Sequence, residues 1–504
     1  MRYSNLKMKL TAFAFLLLIV IQVKFCSEGL SRIGKSAPAA PDSQTAVIDL
    51  KEIKKRGKLI ALTDNSSTSY FVYKGELMGY EYEMLNSFAK HLGVELQIVV
   101  AKNMDRVFDQ LNNQEADVVA ANLTVTAERL GYVNFSEPLL QTRQVLIQRK
   151  PRGWEQMNPE QIDKKLIRNV NDLVGKKIYV RKGSSFYSRL QNLSEEIGKE
   201  IEIIEARGEQ ETEELIQMVA AGEIEFTVAD ENVAMLNKTY YPNIDVKTAI
   251  SFPQKISWAV RKDSPELLSA LNTWLNKKKN SAEFSFLYSK YFRSPKHAEE
   301  RMESLFCSLS GSRISCYDEF MKTCSRKLGW DWKLLASVVY QESRFDPDAL
   351  SWAGAYGLMQ MIPAASVRYG IDSISATPEQ SLRAGTAYLK NLDNYWRDYI
   401  FDKQERTKFV LASYNVGLGH IIDARNLAIK YNKNPNEWED NVGFFILMKS
   451  KPRYYNDPVV KFGYCRGQEP YRYVKEILNR YAHYRNVIKD IPEQELAIGN
   501  EKKI

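Results

Sequence analysis

The sequence predicts a multi-domain chain, an α/β half followed by an α-rich half, and three observations carry that reading. At 504 residues the chain is long enough for about three or four domain-sized units. From Leu50 to about Phe292, short apolar strands alternate with amphipathic helices, the pattern of α/β proteins. From Glu299 onward the strand signals fade, and tandem short helices joined by Gly, Pro and Asn loops take over. With 44% hydrophobic and 26% charged residues, the chain can bury sizeable cores. Its formal net charge of +8 is spread without long Lys or Arg runs. Neither a recognition helix nor a zinc-finger pattern occurs, so no nucleic acid is expected as a partner. Mild basicity does suit an anionic polymer.

Residues 1–26 open with Arg2, Lys7 and Lys9 and continue as an apolar stretch from Leu10 to Val23. This is the layout of a secretory signal or a short membrane anchor, and it is shorter than the roughly 20 apolar residues a spanning helix needs. Export is expected. Cys26 stands where a lipid-modified cysteine would, although Lys24 and Phe25 are poor neighbours for that processing. Residues 27–48 read as a flexible linker, with Ser36-Ala37-Pro38-Ala39-Ala40-Pro41 at its centre. Residues 49–296 are the α/β part. There Leu59 to Leu62 reads as a strand, Tyr82 to Leu92 as a helix, Val94 to Val100 as a strand, Met104 to Leu111 as a helix and Asp117 to Ala121 as a strand. Lys277-Lys278-Lys279 and Ser294-Pro295-Lys296 mark the exit into residues 297–504.

Several blocks of the first half resemble the amino-acid-binding type of extracellular solute-binding protein. They are Gly57-Lys58-Leu59, the hairpin-like Phe71 to Tyr82, Leu123-Thr124-Val125-Thr126-Ala127-Glu128-Arg129, and Phe135-Ser136-Glu137-Pro138. The likeness runs from Asp49 to Phe292 and implies a two-lobed, periplasmic-binding-protein-like fold with a non-catalytic, regulatory role. It places the crossing to the second lobe near Lys150 and the return near Ser257, with Trp258-Ala259-Val260 as a first-lobe strand. Relatives of this type hold a ligand α-carboxylate with the Arg of a Thr-x-x-Arg motif, which Thr126 and Arg129 match. A guanidinium fork suits a carboxylate bidentately. Asp230 matches the acid that holds the α-amine. Ser184 opens a helix whose free N–H groups favour an anionic group, and Tyr70 and Phe71 are expected to stack on the ligand. By itself Arg129 reads equally well as a solvated helix arginine, and the fold survives in domains that have lost their ligand.

In the second half, the apolar run Leu334 to Tyr340 predicts a helix starting at Asp331, a good N-cap residue. Glu342 lies seven, four and three positions after Leu335, Val338 and Val339, on the helix's buried stripe. Desolvation there raises a carboxyl pKa, and an acid that keeps its proton near neutrality can protonate the leaving oxygen of a glycosidic bond. A solvent-facing Glu342 paired with Arg344 is the bland alternative.

Three later blocks of the chain favour the buried acid. Ser351-Trp352-Ala353-Gly354-Ala355-Tyr356-Gly357-Leu358-Met359-Gln360, then Ala412-Ser413-Tyr414-Asn415-Val416-Gly417, then Gln468-Glu469-Pro470-Tyr471-Arg472-Tyr473 stand in fixed order. Over Cys307 to Tyr484 these blocks resemble the lysozyme-like catalytic domain of lytic transglycosylases, which cut peptidoglycan. The two halves together resemble the membrane-bound lytic murein transglycosylases of the F type. The resemblance implies Glu342 as the single catalytic acid, with Ser351, Met359, Gln360, Tyr414, Asn415, Glu469 and Tyr473 binding the glycan. Each has a plainer alternative: a loop hydroxyl for Ser351, core filling for Met359 and Tyr414, and a solvated partner of Arg466 or Arg472 for Glu469. Asp346 and Asp348 are expected to cap the turn they occupy. Val416 departs from the family's small residue, which trims the pocket only.

The resemblance implies no cofactor, peptidoglycan glycan strands as substrate, an amino acid or muropeptide in the first half, and a periplasmic protein tied to a membrane, the outer membrane by expectation. A goose-type lysozyme on the same fold and a non-catalytic wall-binding receptor remain alternatives. Cys307, Cys316, Cys324 and Cys465 allow two disulfides in an oxidising compartment, or buried thiols. The rival zinc site lacks a C-x-x-C pair, and the chain has only four His, so no metal is expected.

Overall fold

In a computed structural model the chain is described over residues 47–488, apart from 102, 207–209, 294–299, 301–303, 305, 310–312 and 372–375. The signal or anchor, Cys26 and nearly all of the linker lie outside the described residues.

The first half forms two five-stranded sheets. One has the order Glu95–Val100, Lys58–Thr63, Val118–Val119, Ala259–Val260, Asn134–Phe135. Lys58–Thr63 runs parallel to both neighbours, with Ala61 opposite Ile98 on one side and Val118 on the other. Its central strands are Val, Leu and Ala runs because helices cover both faces. The other sheet has the order Glu202–Glu205, Lys177–Val180, Phe226–Asp230, Gln144–Arg149, Ile244–Asp245. The helix expected from Tyr82 begins at Tyr80, after Gly79, and ends at Leu92 on Gly93 in the left-handed conformation.

The chain passes between the sheets at Leu140–Thr142 and returns at Gln254–Ile256, and these two strands pair with each other, Gln254 opposite Thr142. The outward crossing was expected near Lys150. It comes earlier because Gln144–Arg149 already pairs along Phe226–Asp230 as a central strand of the second sheet. Two crossovers zipped into one ribbon make a hinge on which the lobes can close.

Among the described residues, no strand element follows Val260. The second half packs helix on helix: Trp332–Ser343 on Gln468–Val487, Pro378–Arg397 on Lys403–Val416, and Lys403–Val416 on Gln468–Val487. Asp331 caps its helix as expected, accepting from Lys333 N–H at 3.0 Å. Cys316, Cys324 and Cys465 carry no disulfide, and Cys307 is buried.

The long helix Gln468–Val487 belongs to both halves. Its last turns lie on the first sheet's lobe: Tyr484 donates to the Gly75 carbonyl at 2.7 Å, Asn486 to the Ile98 carbonyl at 3.1 Å, and His483 Nδ1 sits 2.6 Å from the Tyr70 hydroxyl. The hairpin Phe71–Tyr73/Glu76–Met78 completes the seam, Lys74 N–H reaching the Phe306 carbonyl at 2.9 Å.

Candidate functional site

Glu342 stands one residue before the end of the helix Trp332–Ser343. Leu335, Val338 and Val339 are fully buried, so the stripe that carries Glu342 faces inward. Arg344 and Phe345 then both adopt positive φ, 52° and 65°, which turns the chain sharply away and leaves the carboxylate at the mouth of the turn. Burial pushes the Glu342 carboxyl up to about 7, and the Tyr473 hydroxyl, donating to Oε1 at 2.5 Å, holds it from going higher. Burial raises the Tyr414 phenol, the nearby Glu342 charge adds to the rise, and Tyr414 donates to the Met359 carbonyl at 2.8 Å.

The structure thus brings together Glu342, Tyr414 and Tyr473. Asn415 follows Tyr414, half-buried, and its amide has no protein partner among the described residues. Ser351 spends its oxygen on the turn, accepting from Ala355 N–H at 3.0 Å, but keeps its own proton to donate. Two expected glycan contacts stand differently. Met359 was expected to line the groove; it is fully buried, its side chain filling the space that Gly385 leaves, and only its backbone reaches the site. Gln360 was expected to donate to the sugar; its amide instead closes the loop on the Ala349 and Gly357 carbonyls at 2.7 and 3.0 Å. Glu469 is exposed in the first turn of the last helix, one turn before Tyr473. Asp346 and Asp348 hold their turn as expected, Asp346 accepting from Asp348 N–H and Asp348 from the Tyr356 hydroxyl, each at 3.0 Å.

The sequence reading missed two features. Gln341, beside the acid, is clamped between Glu476 and Arg480 at 2.8 and 2.9 Å. The signal was present in Arg472, Glu476 and Arg480, spaced four apart on one helix face. Trp352 is 100% exposed in the loop after Ser351, an apolar face left in water.

In the first half, Arg129, Ser184 and Asp230 line one cavity of ≈ 60 Å³ between the lobes. Arg129 donates to the Thr124 carbonyl at 3.0 Å, and burial, then the nearby Arg181, lowers it to about 10. Asp230 accepts from Asn122 across the cleft at 2.8 Å; burial raises it to about 7 against the pull of Arg181 and Arg129. Thr126 caps the Arg129 helix, accepting from Arg129 N–H at 3.2 Å, and so positions the guanidinium. Tyr70 and Phe71 do not reach the cavity. Tyr70 is fully buried against His483, and Phe71 packs on Tyr291, because the hairpin they begin docks on the second half.

Comparison with known proteins divides the chain in the same way. Residues 59–294 match the model of bacterial extracellular solute-binding proteins, family 3, and residues 319–439 match the transglycosylase SLT domain. An ancestral arginine-binding protein solved with arginine is 25% identical, covering 47% of this chain and 99% of that one, at a TM-score of 0.40. The membrane-bound lytic murein transglycosylase F of Desulfosudis oleivorans is 34% identical over 440 residues, covering 87% of this chain and 92% of that relative. Its namesake from Pseudomonas fluorescens is 34% identical over 435 residues, covering 86% and 85%. With such relatives matched along nearly their whole length, the chain belongs to the family of membrane-bound lytic murein transglycosylases F.

Proposed function

We propose that the chain cleaves the β-1,4 bond between N-acetylmuramic acid and N-acetylglucosamine in peptidoglycan without hydrolysis, with residues 297–504 as the catalytic part. Glu342 gives its proton to the bridging oxygen as the bond to the anomeric carbon breaks. The muramic acid C6 hydroxyl attacks that carbon, and its proton passes to the Glu342 carboxylate, which restores the acid. No water is consumed, and the new end is a 1,6-anhydro sugar. An intramolecular nucleophile needs holding rather than activating, so one carboxyl suffices where most glycosidases need two. Tyr473 orients that carboxyl and Asn415 offers a free amide to the sugar. The observation that carries the reading is a lone desolvated carboxyl raised to about 7, with Tyr473 as its hydrogen-bond partner. Mass analysis of digested sacculi tests it: ends lighter by one water are expected, and ordinary reducing ends from the wild type would refute the lyase.

Residues 49–296 are read as a regulatory receptor for an amino acid or muropeptide, supported by the cavity that Arg129 and Asp230 share. Turnover is expected to change when stem peptides are added and to lose that response in Arg129→Ala. Association with the outer membrane through the N-terminus, with or without a lipid on Cys26, is the accompanying proposal; the relatives' names say membrane-bound. Among the described residues no helix is long and apolar enough to cross a membrane.

A further inference from the structure

A separate cavity of ≈ 370 Å³ lies at the end of the second sheet away from the lobe cleft. Phe226 lines it, while Asp230, at the other end of the same strand, lines the cavity between the lobes. Four residue steps, about 13 Å, separate the two. Five cations surround this second space, Arg149, Lys150, Arg152, Lys165 and Lys176, and Glu225 is the one carboxylate among its described lining residues. The whole chain has a formal net charge of +8. An excess of four around one cavity is therefore a local concentration of charge rather than a share of a mildly basic surface.

Among the described residues Arg149, Arg152, Lys165 and Lys176 carry no ion pair, and Glu225 carries none either. Lys150 donates to the Pro242 carbonyl at 2.7 Å and lies 3.6 Å from the centroid of the Trp154 ring. Burial lowers its ammonium, and Lys238 adds to the fall against the pull of Asp245 and Glu155. The walls are fixed. The Gln148 amide exchanges two hydrogen bonds with the Ile167 backbone, each at 2.9 Å, and Lys150 N–H reaches the Asn243 carbonyl at 2.8 Å. Gly222, with φ 84°, ends the helix Thr212–Ala221 and leaves the Arg149 guanidinium its place, since a Cβ there would stand 2.6 Å from the guanidinium carbon. The carbonyl end of that helix accounts for Arg149. It does not account for the other four cations, which come from three separate stretches of chain.

We propose that this cavity binds a phosphate-bearing anion, a group with two or more negative charges. A carboxylate brings one charge and two oxygens in a plane, and a single guanidinium fork suffices to hold it. Lysine ammoniums act as point charges. Several of them converging from different segments suit a tetrahedral phosphate, whose oxygens point in as many directions. A bound dianion relieves the repulsion among the five cations, which the fold itself leaves unanswered. The phosphate belongs either to a small free compound or to the headgroup of an anionic lipid, and both present the same chemistry to these residues. The lipid source is included because the N-terminus is proposed above to meet a membrane. The inference requires neither the wall-cleaving reaction nor a ligand between the lobes.

Calorimetric titration of the full chain with inorganic pyrophosphate, against the dicarboxylate malonate at equal ionic strength, tests the site. Pyrophosphate is expected to bind one to one, and the combined change Arg149→Gln, Lys165→Gln, Lys176→Gln to weaken it at least about tenfold. The combined change Lys54→Gln, Lys55→Gln, Lys277→Gln removes the same charge from exposed positions elsewhere and is expected to leave the affinity as it was. Sedimentation with phosphatidylglycerol vesicles, relative to phosphatidylcholine vesicles, separates the two sources. Loss of the phosphatidylglycerol preference in the cavity variant alone assigns a lipid headgroup. Pyrophosphate binding with that preference intact assigns a free phosphate compound. The proposal is overturned by equal losses in both triple variants, by malonate binding as tightly as pyrophosphate, or by a wild type that takes up neither pyrophosphate nor phosphatidylglycerol.

Discussion

At the scale of residues, the second half turns on the proton of Glu342. Glu342→Gln keeps the shape and removes the transferable proton, so digestion of sacculi is expected to fall by at least about a thousandfold, the upper part of what general acid and base steps supply. The same variant reports on stability. The folded carboxyl holds its proton to about 7 where a free one loses it near 4.5, so wild-type stability falls as pH rises between those values. In thermal unfolding, Glu342→Gln should therefore be more stable than wild type at pH 8, by up to about 3 kcal/mol, and show no advantage near pH 4. Tyr473→Phe removes the hydrogen bond that lowers the Glu342 pKa. Its activity is expected to drop about tenfold while the alkaline limb of the pH profile moves upward; a profile that scales down without moving would show that the tyrosine serves packing alone. Trp352, fully exposed beside Ser351, is expected to matter for gripping glycan, with Trp352→Ala raising KM and leaving kcat in place.

At the scale of elements, the sequence was informative wherever one periodicity decided the outcome. Asp331 and the run after it set the Glu342 helix from its cap to its buried stripe, and the strand at Leu59 and the helix at Tyr82 differ from the structure by two residues or fewer. It was uninformative where a side chain's fate depended on a neighbour distant in the chain. Tyr70 looks like a ligand-stacking aromatic until a helix more than 400 residues later covers it. Met359 and Gln360 look like groove residues until Gly385 makes room for one and the Ala349 carbonyl captures the other. The hairpin tip is a second such place. Gly75 has φ 78°, and a Cβ there would stand 2.6 Å from Phe345 and 2.7 Å from Tyr340, both within three residues of the acid. Gly75→Ala is expected to destabilise the chain by about 1–3 kcal/mol, read by thermal unfolding, and to lower activity although position 75 lies in the solute-binding half.

At the scale of the whole molecule, the buried carboxyls act in concert. Glu81, Glu213, Asp230 and Glu342 are each pushed up to about 7 by burial. Each stays protonated in the fold where the unfolded chain has already released its proton, so stability is lost as pH climbs from about 4.5 to 7. His483, lowered to about 4 by burial, acts in the opposite sense, losing stability as pH falls from 6.5. Burial lowers His420 as well, in the same sense as His483; with the four carboxyls outweighing these two imidazoles, denaturant midpoints are expected to be higher at pH 5 than at pH 8, and a rising trend across that range would contradict the assignment. The helix Gln468–Val487 adds a different kind of coupling. One end steadies the acid through Tyr473 while the other end is bonded to Gly75 and Ile98. Any chimaera that grafts a foreign receptor half onto this enzyme must therefore import a matching footing for Tyr484 and Asn486. Without it, the graft would alter the chemistry before any signal had been received.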